Sequence, residues 1–279
     1  MERVGIVGAG QMGAGIAEVC AKALCEVVLA DLDSAAIERG RAAMERSLAK
    51  AVERGKLSPV DAEAAQRRVT MTTDLADLGA SQIVIEAVIE DEGVKRGLFR
   101  DLDEIAPSAV LASNTSSIPI VRLATATTRP ETVIGMHFFN PAPVMALVEV
   151  VSSLLTSAGT RKAVTEFAVK LGKHPVQAKD RAGFIVNALL LPMLVDAVRM
   201  YEGGMASAED IDAALVMGAN LPMGPLALAD LIGIDTVVAV SDVLHAEFGE
   251  TRYAPPPLLR RMVDAGRLGR KTARGFYEY

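Results

Sequence analysis

The sequence predicts an α/β N-terminal domain followed by an all-α C-terminal domain. Three observations carry that expectation. The chain opens on a strand, a glycine-rich turn and a helix, "RVGIVGAGQMGAGIAEVCAKAL". Apolar strand-like runs then alternate with helical patterns to residue 181, and strand patterning stops from residue 182 onward.

In the opening unit an apolar strand leads into a turn carrying Gly8, Gly10 and Gly13. The helix after it places Ile16, Val19, Cys20 and Ala23 at helical spacing. The first glycine permits a tight turn, the second lets the backbone approach a pyrophosphate, and the third lets helix and strand pack closely, with the phosphates on the helix N-terminus. A second strand, "EVVLADLD", delivers Asp31 about 20 residues on, where a carboxylate can accept from a ribose hydroxyl pair. This context makes the unit Rossmann-like. Asp31 repels a 2′-phosphate and no arginine directly follows it, so the expected cofactor is NAD rather than NADP.

Beyond Asp33 the stretch "SAAIERGRAAMERSLAKAVERGKLSPVDAEAAQRR" is helical and too long for one crossover helix, which predicts a helical hairpin insertion. "VTMTTDL" and "QIVIEAV" are expected strands, "GVKRGLFRDLDEI" a helix, "AVLASNTSS" a strand and loop, and "TVIGMHF" and "LVEVV" further strands. Such alternation implies a mostly parallel sheet covered on both faces. From "AGFIVNALLLPMLVDAVRMYEGG" to the C-terminus the pattern is helical, with Ser207 before an acidic first turn as an N-cap. The expected domains are therefore 1–181, dinucleotide-binding, and 182–279, a helical substrate and dimerisation domain.

Bulk properties narrow the function classes. The 279 residues suit about two domains. A net charge of −6 argues against a nucleic-acid partner. The longest apolar stretch, "FIVNALLLPMLVDAV", is interrupted by Asn187, Pro192 and Asp196 and falls short of a bilayer span, so no membrane partner is expected. Cys20 and Cys25 imply no disulfide framework. The charged start "MERVGIVGAG" leaves no room for a signal peptide, and a cytoplasmic location is the expectation. The apolar excess of the second half suggests a homodimer.

In parallel sheets ligands gather beyond the carboxyl ends of the strands. The polar residues there are Glu86 and Glu90; Asn114, Ser116 and Ser117; and His137 and Asn140. Glu149 lies in the apolar run "LVEVV" and needs a partner, and His137 can be that partner if the two segments are neighbours. One imidazole nitrogen would then donate to the carboxylate and the other act as a base. His174, before a proline, is expected at the surface, and His245 fits a packed or solvated helix position. Asn187 in "FIVNALLL" either bonds within the core or faces a cleft, and the residues alone do not choose.

Taken together, "GIVGAGQMGAGIA", "ASNTSS", "GMHFFNPAPVMALVEVV", "GFIVN", "PMGPLALADLIGIDT" and "GRKTARGFYEY" resemble, in order and over essentially the whole chain, motifs of the L-3-hydroxyacyl-CoA dehydrogenase family, its 3-hydroxybutyryl-CoA dehydrogenases in particular. The resemblance implies reversible oxidation of a (3S)-3-hydroxyacyl-CoA by NAD. It makes His137 the base, Glu149 its orienting carboxylate, and Ser116 and Asn187 ligands of the reacting oxygen. The cofactor set it implies is Gly8, Gly10, Gln11, Met12, Gly13, Asp31, Glu90, Lys95, Asn114 and Asn140, with Ser47, Lys50, Arg54 and the nearby Lys56 toward the coenzyme A arm and no metal. Three departures from the family pattern concern local loop geometry. No glycine closes the helix at "KALCEV", so Leu24 or a neighbour must do so; Ala182 stands where proline is usual; and Ala273 replaces a usual glycine. Two other readings stay open: a dehydrogenase of a free hydroxy or sugar acid, and a non-catalytic NAD-binding protein on the same fold.

Overall fold

A computed structural model describes residues 1–279. The chain divides into two compact units, Met1–Asp180 and Arg181–Tyr279.

The first unit is built on one eight-stranded sheet of order β3-β2-β1-β4-β5-β6-β7-β8. Its strands are β1 (Arg3–Val7), β2 (Glu26–Ala30), β3 (Val69–Thr72), β4 (Ile83–Glu86), β5 (Val110–Ser113), β6 (Val133–Phe138), β7 (Leu147–Ser152) and β8 (His174–Lys179). The first six pair in parallel, which gives the doubly wound order with its switch point between β1 and β4. Strand β7 then runs antiparallel to β6, and β8 parallel to β7. The helices are α1 (Gln11–Lys22), α2 (Ser34–Glu53), α3 (Pro59–Arg67), α4 (Glu92–Ile105), α5 (Ile120–Ala124) and α6 (Ala158–Lys170). The fold class expected from the sequence is the one observed, including α2 and α3 as the helical hairpin.

Local chemistry sets most boundaries. Asp33, Asp91 and Ser157 accept from Ala35 N, Val94 N and Thr160 N to start α2, α4 and α6, and Ser58 caps α3 with Pro59 in its first turn. Helix α1 ends without glycine. Leu24 takes φ +65° there, and the bonds Cys25 N to Cys20 O and Leu24 N to Ala21 O are those of a Schellman motif. The thiols of Cys20 and Cys25 are unpaired and buried, the hydrophobic pair this motif favours. Ile6, Ile16, Leu29, Met44, Ile85 and Phe167 belong to the core that joins sheet, hairpin and α6.

Two elements are not evident from the sequence pattern: α6, and β8 beyond the strand entry at "GKHPV". The β8 pattern "HPVQAK" is an edge strand's, with proline and lysine and little buried apolar surface, so periodicity alone gives it a weak signal.

The second unit contains α7 (Val186–Glu202), α8 (Ala208–Gly218), α9 (Pro225–Ile232), α10 (Ile234–Phe248) and α11 (Pro257–Asp264) around Leu194, Val198, Leu226, Val237 and Leu259. Ser207 caps α8 as expected. Two buried carboxylates close the unit. Asp212 accepts from Leu226 N, Ala227 N and the Tyr277 hydroxyl, and Asp230 from Phe276 N and Tyr277 N. Gly275 is required because the Asp230 carboxylate occupies the space a Cβ would need. Ala273 adopts φ +56°, the left-handed conformation glycine would take there. No helix is long and apolar enough to cross a membrane.

Candidate active site

The glycine turn connects β1 to α1 at the carboxyl edge of the sheet, and its three glycines answer to three different constraints. Gly8 has φ +102°, and a Cβ there would press on the backbone of Ala87. A Cβ on Gly13 would fall inside the carbonyl oxygen of Gly8, so α1 packs directly on the turn. Gly10 is the reverse case: a Cβ would meet nothing within 4 Å, so its outer face is open to a ligand. Gly10 caps α1 without a side-chain acceptor, which leaves the first-turn N–H groups at Gln11 and Met12 directed at that space. Asp31, just past β2, reaches back to accept from Ala9 N at 2.8 Å and from Asp33 N at 3.0 Å. A carboxylate fixed against the phosphate turn is where a dinucleotide's ribose belongs, so these residues fit NAD.

A chain of charges links the exits of β4 and β5 to α4. Glu86, closing β4 and fully buried, accepts from the Ser113 hydroxyl at 2.6 Å, from Val88 N at 2.8 Å and from the Lys95 ammonium. Lys95, 1% exposed, also pairs with Glu90 at 3.2 Å. The other oxygen of Glu90 gathers the loop after β5: Thr115 Oγ1 at 2.6 Å, Ser117 Oγ at 2.9 Å, Ser116 N at 3.0 Å and Ser117 N at 3.1 Å, with Ser116 Oγ at 3.4 Å. Burial, the largest influence on Glu90, would raise its carboxyl, but Lys95 and these donors together hold it below the usual carboxylate range. Lys95 is thus enclosed by carboxylates, an internal tie that the sequence does not reveal. Ser113, Thr115 and Ser117 take a part in it that is equally hidden, and the only hint in the sequence is the density of hydroxyls in "SNTSS" following a strand.

His137 is the fifth residue of β6 and is buried beside the carboxyl edge. In the antiparallel β6–β7 ladder its register partner is Glu149, and Nδ1 lies 2.7 Å from Glu149 Oε2. The reversed direction of β7 matters here. It lays the early part of β7 against the late part of β6, so the carboxylate arrives at the ligand-facing edge. With Nδ1–H donating to Glu149, the imidazole lone pair belongs to Nε2. Phe139 stacks at a tilt on the ring, centroids 4.5 Å apart. Asn114 Oδ1 accepts from Phe138 N at 2.8 Å, which fastens the serine loop to the strand that carries the histidine.

A cleft of about 640 Å³ runs from Gly10 and Gln11 between α1 and α2 to Ser47, with Asn140 on its rim. Lys50, Arg54 and Lys56 are exposed and lie outside its lining, whereas Arg39 and Arg46, which the sequence motifs do not single out, line it. Asn187 sits half-buried in the first turn of α7 in the second unit, not enclosed in its core. His174 is exposed, and His245 is partly exposed with Nδ1 3.0 Å from Glu250 O, so neither gathers the partners of a site.

Comparison with known proteins agrees with this geometry. Residues 3–181 match the NAD binding domain of 3-hydroxyacyl-CoA dehydrogenase and residues 183–279 its C-terminal domain. The chain is 52% identical to a 3-hydroxybutyryl-CoA dehydrogenase of Mycobacterium tuberculosis, over 100% of this chain and 99% of that protein. It is 41% identical to the human mitochondrial hydroxyacyl-coenzyme A dehydrogenase, over 100% and 91%. Among solved structures, (S)-3-hydroxybutyryl-CoA dehydrogenase from Ralstonia eutropha superposes with a TM-score of 0.95 at 46% identity, covering 100% of this chain and 99% of that one. The chain belongs to the 3-hydroxyacyl-CoA dehydrogenase family of NAD-dependent oxidoreductases.

Proposed function

We propose that this protein interconverts a short-chain (3S)-3-hydroxyacyl-CoA, such as 3-hydroxybutyryl-CoA, and the corresponding 3-ketoacyl-CoA with NAD. The observation that carries the reading is the His137–Glu149 pair at the ligand-facing edge of the sheet. Full-length identity to 3-hydroxybutyryl-CoA dehydrogenases supports the substrate class.

In the oxidative direction His137 Nε2 takes the hydroxyl proton of the substrate. Glu149, bonded to Nδ1, stabilises the imidazolium that results and fixes the ring's tautomer and angle. Ser116, held through its backbone by Glu90, presents its hydroxyl to the reacting oxygen. NAD, when bound, supplies the acceptor for the hydride that leaves the carbinol carbon. Gly8, Gly10, Gln11, Met12 and Gly13 receive its pyrophosphate and Asp31 its adenosine ribose. Glu90, Lys95, Asn114 and Asn140 border the nicotinamide half. Ser47, Lys50 and Arg54 serve the coenzyme A arm.

A homodimer is part of the proposal. The second unit leaves Leu189, Met205, Met217 and Leu231 exposed, apolar surface that a second copy would cover. Two unpaired buried thiols suit a reducing cytoplasm.

The test is reduction of acetoacetyl-CoA by NADH, run beside NADPH, longer 3-ketoacyl thioesters and free acetoacetate. Preference for the short thioester with NADH supports the reading, and turnover of the free acid alone overturns it.

A further inference from the structure

Residues 139–146 join β6, which carries His137, to β7, which carries Glu149. Asn140, Pro141, Ala142 and Pro143 from this segment line the cleft of about 640 Å³ that reaches Gly10 and Gln11. Pro143 also borders a second cavity, of about 310 Å³, bounded by Lys22 and Ala23 at the end of α1 and by residues 170–173. With open space beside it in two places, the segment is held by packing at few points. One is Gly15 of α1, where a Cβ would stand 3.2 Å from Pro143 Cδ and 3.3 Å from Ala142 Cβ. Polar contacts supply the rest. Val144 N and Met145 N donate to Pro141 O at 2.9 and 3.0 Å, which folds the segment on itself. Lys173, in the turn between α6 and β8, donates from its ammonium to Ala142 O at 2.7 Å and to Met145 O at 2.8 Å. Neither acceptor is a carboxylate, and burial, followed by the Lys22 ammonium, pushes Lys173 below the ordinary lysine range.

We infer that Lys173 is a positioning residue for the cofactor: its two carbonyl bonds set the 139–146 segment so that Asn140 faces the nicotinamide half of NAD, which rests on the place proposed for Asn140 above. Asn140 is exposed, and Ala142 O lies two residues from it, so a shift of the held carbonyl carries the amide with it. Hydrogen bonds from a charged donor are the stronger kind, and two from one ammonium fix both the place and the angle of the turn they hold. His137 does not depend on this tie. It is kept within β6 by the ladder to β7, by Glu149 and by the bond from Phe138 N to Asn114. Loss of Lys173 therefore falls on cofactor affinity more than on turnover.

Calorimetric titration of the full chain with NADH tests this. Lys173→Met is expected to weaken NADH about tenfold, with kcat at saturating NADH within about threefold, while Lys173→Arg, which keeps charge and donors, recovers most of the loss. Asn140→Ala should weaken NADH as well, and adding Lys173→Met to it should cost less than about twofold more, because the lysine acts through that residue. Unchanged NADH affinity in Lys173→Met, with or without a lower thermal midpoint, or fully additive losses in the double variant, overturn the inference. If Lys173→Met does not fold, Lys173→Gln, which retains an uncharged donor, carries the same comparisons. Normal NADH affinity in Asn140→Ala removes the place given to Asn140 and the inference with it, whereas a loss there with none in Lys173→Met overturns the role of Lys173 alone. Wild-type protein that binds NADH but does not reduce acetoacetyl-CoA removes the substrate reading and leaves the NADH comparison to decide on Lys173.

Discussion

Lys95 on α4 and Glu86 at the end of β4 form an ion pair in which neither side chain meets water. Removing the lysine strands a buried carboxylate. Lys95→Ala is therefore expected to cost about 3–5 kcal/mol in urea unfolding of the first unit. Adding Glu86→Gln should return part of that loss, because the uncompensated charge disappears with it. A single-variant loss below about 1 kcal/mol would contradict the pairing.

Glu90 ties Lys95 to the serine loop, and its carboxyl titrates below the ordinary value. A depressed folded-state value means the stabilisation is complete above the unfolded value, about 4.3, and is lost as pH falls through the folded one. Stability should thus fall on acidification below about pH 4. Glu90→Gln should flatten that part of the acid limb, which urea midpoints measured from about pH 3 to about pH 6 would show.

His137→Ala is expected to lower turnover by about two to four powers of ten while NAD affinity is kept. Glu149→Gln keeps an acceptor opposite Nδ1 but removes the charge, so a smaller loss with an altered pH–rate profile is expected. Near-normal turnover in the first variant, or an unchanged profile in the second, would remove that residue from the mechanism.

Two glycines of the same turn should fail in opposite ways. Gly13→Ala has no room for its methyl against Gly8 O and should prevent folding of the first unit. Gly10→Ala has open space and an ordinary φ of −69°, so stability should change by no more than about 1 kcal/mol, while the methyl stands where a pyrophosphate must approach and weakens NAD sharply. Circular dichroism and NAD titration of both variants separate the effects.

Leu24 closes α1 in a left-handed conformation with 69% of its surface exposed. Leu24→Gly removes the strain of roughly 1–2 kcal/mol but adds unfolded-chain entropy. A net gain of about 0.5–1 kcal/mol is expected, seen as a rise in the thermal midpoint. A drop would mean the leucine side chain contributes packing that its exposure conceals.

Motifs with local meaning are legible in the order of the residues. The strand, glycine turn and helix, the hairpin of α2 and α3 and the helical second half follow from periodicity and caps, whereas the closure of α1 at Leu24, in a conformation leucine tolerates poorly, is picked out from its neighbours only by the structure. Edge strand β8 and helix α6 are less legible, since an edge strand buries little and α6 sits in a stretch without a strong apolar stripe.

The sequence by itself determined the fold class, the dinucleotide turn and the pairing of histidine with glutamate as a chemical expectation, because short-range spacing and burial preference are written in neighbouring residues. Only the tertiary structure decided that β7 runs against β6 and so sets Glu149 directly across from His137, that Lys95 is enclosed by Glu86 and Glu90, and that Arg46 rather than Lys50 or Arg54 lines the cleft. Strand direction and the choice of a charge's partner depend on segments far apart in the chain, whose meeting is settled by the packing of the whole sheet.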